Sequence, residues 1–188
     1  MPLLTSAFGE ALAHAHDLHR GQLRKGADVP YVSHLLAVSS LVLEAGGDEE
    51  QAIAALLHDA LEDQGDKTSF AEIQRRFGGR VAKIVRACSD TEVVLKPPWR
   101  ERKQDYLKRL ENEPEDVLLV SVADKLHNAR ATLADRRSDG PSVWLRFNVG
   151  VEDQRWYYEA LVEVFARRLP RNRLAVDLER TVAELFAE

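Results

Sequence analysis

The stretch IAALLHDALED, residues 53–63, is the part of this chain that best indicates its fold and its chemistry. An apolar run leads directly into four polar side chains, those of His58, Asp59, Glu62 and Asp63. Residues three and four positions apart share one face of a helix, so the spacing predicts that these groups project together from a buried helix. Buried charges are costly unless they are paired or bound to a metal. The stretch therefore favours a divalent-metal hydrolase site over a solvated acidic helix end.

The composition is typical of a globular protein that has one sizeable core. The chain has 188 residues, of which 45% are hydrophobic and 30% are charged, and we expect a single domain over residues 1–188. The net charge of −5 argues against a general nucleic-acid binder. A metal and a few local Lys or Arg side chains can still attract a phosphorylated ligand to an acidic protein.

The cellular location is predicted from cysteine content and from apolar runs. The single cysteine, Cys88, excludes an internal disulfide and favours a reducing compartment. The first 13 residues lack the cationic start and the apolar stretch of a signal peptide. No run approaches the roughly 20 apolar residues that span a bilayer. We therefore expect a cytoplasmic protein that has no membrane partner.

The hydrophobic pattern predicts an all-α fold. Apolar residues recur at intervals of three and four, and strand-like alternation is absent, which indicates a bundle of about eight to ten helices. Ser33 is a candidate N-cap of the second helix. Asp48 and Gln51 resemble a capping box that opens the third helix, and this third helix is predicted to carry the acidic stretch. An apolar helix is predicted from Val117 to about Arg136.

A small set of residues has the chemistry of a metal-dependent hydrolase. Imidazoles and carboxylates together suit Mn²⁺, Fe²⁺, Zn²⁺ or a similar ion, and such a metal makes a nucleophile from bound water near neutral pH. Glu62 and Asp63 can accept the proton of that water or orient it. The four candidate metal ligands are His34, His58, Asp59 and Asp124.

Each candidate also has an ordinary structural explanation. A lone His34 is more often a helix cap or a core residue, and a lone Asp124 pairs equally well with Lys125 or Arg130. Only the joint occurrence of the four ligands favours a metal site. Lys103 is expected on a solvated helical face and Tyr157 and Tyr158 in the core, with phosphate contact by Lys103 and a tyrosine in the pocket as the alternatives. The remaining histidines, His14, His16, His19 and His127, are expected to be structural or surface residues.

Four ordered motifs resemble those of a known family. The chain is similar to the HD-domain phosphohydrolase superfamily, and within it to the hydrolase domain of the RelA/SpoT-type alarmone enzymes. The resemblance covers about the first 130 residues, and the length of the chain is similar to that of the stand-alone small alarmone hydrolases. The motifs are HRGQLRK at 19–25, PYVSH at 30–34, HDALED at 58–63 and ADKLHNAR at 123–130.

The resemblance implies an activity and a role for each matching residue. It implies that the protein removes the 3′-pyrophosphate of (p)ppGpp, giving GDP or GTP and pyrophosphate, with Mn²⁺ as the metal. It implies that Glu62 and Asp63 are the catalytic pair. It also implies that Arg24, Lys25 and Asn128 contact the nucleotide, with Arg24 stacking on the base. The implied metal ligands are the same four residues, His34, His58, Asp59 and Asp124.

Two alternatives to guanosine alarmone hydrolysis stay open at this point. One is an HD phosphohydrolase that acts on another phosphorylated nucleotide, such as an adenine alarmone or a phosphorylated dinucleotide, because a stacking Arg24 tolerates either purine. The other is a non-catalytic HD module that only binds a nucleotide. The sequence does not indicate an oligomeric state.

Overall fold

The protein folds as a bundle of helices. The computed structural model describes residues 4–89 and 97–187, and within these ranges it contains no strand, only one isolated bridge between Leu23 and Pro30. The predicted all-α class is confirmed. The helices are α1 (Ser6–His19), α2 (Val32–Glu44), α3 (Glu49–Leu57), α4 (Ala60–Asp63), α5 (Phe70–Phe77), α6 (Gly79–Cys88), α7 (Trp99–Leu110), α8 (Glu115–Asp139), a 3₁₀ helix (Gly140–Arg146), α9 (Val151–Arg168) and α10 (Arg173–Leu185).

Two buried helices form the centre of the bundle. In α3, every residue from Gln51 to Leu57 is buried, and this helix packs against α1, α2, α6 and α8. In α8, the residues from Val117 to Asp124 are buried, and this helix also contacts α2, α6, α9 and α10. A helix that is apolar around its whole circumference needs neighbours on all sides. The packing of these two helices therefore places the segment after α3 close to the buried part of α8.

The capping predictions are partly confirmed. The Gln51 backbone N–H donates to Asp48 Oδ1 at 3.0 Å, and the Asp48 N–H donates to Gln51 Oε1 at 2.9 Å, which completes the predicted capping box of α3. The prediction for Ser33 was wrong. Helix α2 begins two residues earlier than an N-cap at Ser33 would place it, at Val32, and its N-cap Tyr31 makes no side-chain capping bond.

The prediction that one helix carries the whole acidic stretch was also wrong. Helix α3 ends at Leu57, and a new turn of helix begins at Ala60. Between them, Asp59 has φ −96° and ψ 0°, whereas a regular α-helix has ψ near −42°. His58 and Asp59 therefore lie at a break in the helix, and the six residues from 58 to 63 do not share one continuous helical face.

No helix in the described part of the chain is long and apolar enough to cross a membrane.

Gly47, between α2 and α3, lies where a side chain has no room. A Cβ atom at this buried position would lie 2.5 Å from Val42 Cγ1 and 2.9 Å from the Val42 carbonyl oxygen. We expect Gly47→Ala to lower the free energy of unfolding by about 1–3 kcal/mol, because the backbone must shift to relieve this overpacking. Urea denaturation followed by circular dichroism measures the effect.

Gly9, in the exposed part of α1, is the matched control for Gly47. A Cβ atom there would meet nothing within 4 Å. Alanine has the better helix propensity and restricts the unfolded chain, so Gly9→Ala is expected to raise the free energy of unfolding by about 0.5–1 kcal/mol. Equal effects of the two substitutions would contradict the packing that the structure shows around Gly47.

Candidate metal centre and active site

The structure brings the four predicted metal ligands together from three elements. His34 lies in the first turn of α2, His58 and Asp59 lie at the break after α3, and Asp124 lies in α8. The Asp124 Oδ1 atom is 3.1 Å from His34 Nε2 and 3.5 Å from His58 Nε2. The Asp59 Oδ2 atom is 3.0 Å from His58 Nε2 and 3.7 Å from His34 Nε2. One ligand atom from each of His34, His58 and Asp59 lies within 4.8 Å of the others.

The cluster is buried and strongly coupled. The side chains of His34 and His58 are 1% exposed, and that of Asp124 is 9% exposed. Burial opposes charge on His58, but Asp59 and Asp124 outweigh it and raise the pKa of His58 well above its usual range. Burial likewise opposes charge on Asp124, but Lys125 and the two histidines hold its pKa well below its usual range. Asp124 thus stays ionised in the interior, where Lys125 and the histidines supply the positive charge that a buried carboxylate needs.

The arrangement fits a divalent cation. The Nε2 atoms of His34 and His58 are 3.3 Å apart, and two lone pairs at this distance require a proton or a cation between them. Metal-bound imidazoles normally donate their other N–H to an acceptor. The Nδ1 atom of His58 is 2.9 Å from the Ala55 carbonyl oxygen, which can only accept a hydrogen bond. This bond leaves Nε2 of His58 as the atom that can bind a metal.

Asp124 is also connected to the predicted substrate-binding residues. Lys125 Nζ donates to its Oδ2 at 2.6 Å, and Asn128 Nδ2 donates to its Oδ1 at 2.6 Å. Asn128 Oδ1 in turn accepts from Arg24 Nη2 at 2.9 Å. The basic loop before α2 is therefore linked to the candidate metal centre through a single amide side chain.

Tyr31 is a neighbour of the centre that the sequence did not indicate. Its hydroxyl donates to Asp59 Oδ2 at 2.5 Å, and its ring stacks on His19 with 5.2 Å between the centroids. Burial and the nearby Asp59 raise the pKa of Tyr31 far above its usual range, so the hydroxyl keeps its proton. The available signals were its place in the PYVSH motif and its position three residues before His34.

Glu62 and Asp63 line a small polar cavity together with two of the candidate ligands. This cavity measures about 200 Å³, and its wall includes Asp59 and Asp124. Gln22 Nε2 donates to Asp63 Oδ2 at 2.8 Å. The acidic pair therefore faces the same space as the candidate metal centre, and the Asp63 N–H donates to the Asp59 carbonyl oxygen at 2.9 Å.

A larger cavity of about 510 Å³ adjoins the small one and is lined by basic and aromatic side chains. It includes all three predicted nucleotide contacts, Arg24, Lys25 and Asn128. Lys25 Nζ donates to Asn148 Oδ1 at 3.0 Å, and the Arg24 guanidinium lies 5.8 Å from the centroid of the Tyr31 ring. The residues that line both cavities are Tyr31, Lys103, Lys125, Asn128 and Tyr157.

The structure places Lys103 and Tyr157 at the two cavities, which was the alternative to a solvated face for Lys103 and to a purely structural role for Tyr157. Lys103 was expected on a solvated helical face, but it lines both cavities, with Nζ 4.9 Å from the centroid of the Tyr157 ring. Tyr157 is buried, as expected of a core residue, and it lines both cavities as well. Helical periodicity did not indicate that these two side chains line the cavities, because it is the packing of α7 against α9 that places them in the cavity walls.

His127 also departs from its expected role as a structural or surface residue. Its Nδ1 atom is 2.7 Å from the Nδ1 atom of His34, and the ring lines the larger cavity. Burial, with smaller contributions from His34 and Arg24, lowers the pKa of His127 to about 4. Its imidazole is therefore neutral near pH 7.

The fold and the site together define an all-helical protein with a candidate metal centre of histidines and aspartates. The family model described as "HD domain" matches residues 11–143. The chain belongs to the HD-domain family.

The relatives carry names of one enzyme class. The guanosine-3′,5′-bis(diphosphate) 3′-pyrophosphohydrolase MESH1 of Xenopus tropicalis is 36% identical over 138 residues, which are 72% of each chain. The bifunctional (p)ppGpp synthase/hydrolase SpoT of Escherichia coli is 33% identical over 136 residues, which are 69% of this chain and 18% of that protein. The corresponding 3′-pyrophosphohydrolase of Aquifex aeolicus is 38% identical over 122 residues, and the match covers 17% of its length.

Solved structures share the same fold over most of the chain. One, described as a metazoan ortholog of SpoT that hydrolyses ppGpp, superimposes with a TM-score of 0.77 at 28% identity and covers 96% of both chains. A second, lmo0812 from Listeria monocytogenes, has a TM-score of 0.74 at 28% identity and covers 82% of this chain.

Proposed function

We propose that this protein hydrolyses the 3′-pyrophosphate of guanosine-3′,5′-bis(diphosphate) and of closely related nucleotides. The observation that carries the proposal is the wall shared by the two cavities, which joins a buried histidine–aspartate centre to a basic and aromatic space of nucleotide size. The names of the relatives support the choice of substrate. The predictions of a single domain over residues 1–188 and of a cytoplasmic location stay predictions.

The proposed metal ligands are His34, His58, Asp59 and Asp124. We propose Mn²⁺ as the cation, because it is the metal that the family resemblance implies and a mixed imidazole and carboxylate set accepts it. A bound divalent ion lowers the pKa of water and withdraws charge from a phosphoryl oxygen.

Glu62 and Asp63 are proposed to act on the attacking water. Its oxygen forms a bond to the phosphorus attached to the ribose 3′ oxygen, and the bond between that phosphorus and the 3′ oxygen breaks. One carboxylate of the pair accepts the proton lost by the water, and this proton is then passed, directly or through solvent, to the leaving 3′ oxygen, which becomes a hydroxyl. Glu62 and Asp63 line the cavity that also holds Asp59 and Asp124, which is the placement that this role needs.

The basic residues of the shared wall are proposed to hold the phosphates. Lys103 and Lys125 line both cavities, so their ammonium groups can neutralise a pyrophosphate that extends from one space into the other. Arg24 has a planar guanidinium that can stack on a base as well as bind phosphate, which a lysine does less well. Lys25 and Asn128 complete the proposed nucleotide contacts.

A nucleotide panel tests the proposal. The Mn²⁺-loaded protein is incubated with ppGpp, with the adenine counterpart and with a 3′-phosphorylated dinucleotide, and the products are separated by ion-exchange chromatography. We expect GDP and pyrophosphate from ppGpp, and a loss of turnover when a chelator removes the metal. Release of phosphate from the dinucleotide alone would replace the proposed substrate. Tight binding of ppGpp without turnover would show a non-catalytic module.

A further inference from the structure

We propose that His127 is a positioning residue, which accepts a hydrogen bond from Nδ1–H of His34 and so keeps the Nε2 lone pair of His34 directed at the cation. The contact between the two Nδ1 atoms measures 2.7 Å, and the ring centroids are 4.8 Å apart with an interplanar angle of 44°. The inference rests on the metal centre of the proposed function.

The assignment follows from counting protons on His34. A neutral imidazole has one N–H and one lone pair. The Nε2 atom of His34 faces His58 Nε2 at 3.3 Å and Asp124 Oδ1 at 3.1 Å, so this is the side on which a cation would bind. If Nε2 gives its lone pair to the cation, the proton of His34 must be on Nδ1. An N–H on Nδ1 of His34 needs an acceptor, and the atom 2.7 Å away is Nδ1 of His127, so His127 must present its Nδ1 lone pair and carry its proton on Nε2.

The two candidate histidine ligands are thus held in different ways. His58 is oriented by the Ala55 carbonyl oxygen, which can only accept. His34 is 0% exposed, and its Nδ1 atom is paired with an imidazole that can either donate or accept. Loss of the acceptor on His127 would leave a buried N–H of His34 without a partner, which costs free energy in the metal-bound form.

The matched pair His127→Asn and His127→Leu tests the role. The two side chains have similar size, and the Oδ1 atom of asparagine can accept a hydrogen bond close to the place of Nδ1. The Kd for Mn²⁺ is measured by isothermal titration in the absence of nucleotide, and thermal unfolding checks the fold of each variant. We expect His127→Leu to raise the Kd about 10–100-fold, as is typical when the partner of a ligating histidine is lost. We expect the Kd of His127→Asn for Mn²⁺ to stay within about threefold of that of the original protein, a change well below the loss expected for leucine.

Equal Mn²⁺ affinity of the leucine variant and the original protein would overturn the inference, as would an asparagine variant as weak as the leucine variant. An increase in KM for ppGpp at unchanged Mn²⁺ affinity would also overturn it, because it would show that His127 contacts the substrate instead.

A second measurement needs no variant. In the Zn²⁺-loaded original protein, long-range ¹H–¹⁵N spectra of the histidine rings are expected to show His34 protonated on Nδ1 and His127 protonated on Nε2. The opposite tautomers, or no metal binding, would overturn the inference. Failure of ppGpp hydrolysis with intact Mn²⁺ binding would instead refute the proposed function alone.

Discussion

Asp59→Asn is expected to abolish the binding of Mn²⁺ and the hydrolysis of ppGpp together. The substitution keeps the size of the side chain but removes the charge that Asp59 Oδ2 places 3.0 Å from His58 Nε2. Loss of a residue that merely orients a ligand weakens metal binding about 10–100-fold, so we expect the loss of a proposed ligand to exceed about 100-fold. Titration with Mn²⁺ and steady-state kinetics at saturating Mn²⁺ measure the two effects.

Asp105→Asn is the control for Asp59→Asn. Asp105 is 72% exposed and pairs only with the neighbouring Lys108 in the described part of the chain, so the same chemical change there is expected to leave the Mn²⁺ Kd and the turnover of ppGpp unaltered. If Asp59→Asn bound Mn²⁺ as tightly as Asp105→Asn does, Asp59 would not be a metal ligand.

Asp63→Asn is expected to lower the turnover of ppGpp without weakening the binding of Mn²⁺. The amide can still accept the hydrogen bond that Gln22 Nε2 donates at 2.8 Å, but it cannot take a proton from water. General-base catalysis contributes on the order of 10²–10⁴-fold, so kcat for ppGpp should fall by about this factor while the Kd for Mn²⁺ stays within about twofold. Steady-state kinetics and calorimetric titration of the same preparation measure both quantities.

Asp66→Asn serves as the control, because this exposed carboxylate lies three residues further along the same segment. Its kcat is expected to equal that of the original protein. A kcat for Asp63→Asn that remained within about threefold of this control, far short of the expected loss, would remove Asp63 from the catalytic pair and leave Glu62 as the single candidate.

The helices were the most predictable part of the fold. The apolar helix predicted from Val117 to about Arg136 is observed as α8, Glu115–Asp139, and the capping box of α3 forms as predicted. Both depend on residues within four positions of one another, so the chain carries the information locally. The break at Asp59 could not be predicted in the same way. It occurs where His58 and Asp59 meet side chains from α2 and α8, and a tertiary contact overrides the local helical pattern there.

The sequence by itself determined the all-helical class and the identities of the histidines and carboxylates that now share one interior. Only the tertiary structure decided which neighbours orient them. Tyr31 and Asp59 are 28 positions apart, and His34 and His127 are 93 positions apart. These pairs form only when α2, α3 and α8 pack together. The periodicity of a single segment cannot predict them, because their free energy depends on residues that are far apart in the sequence.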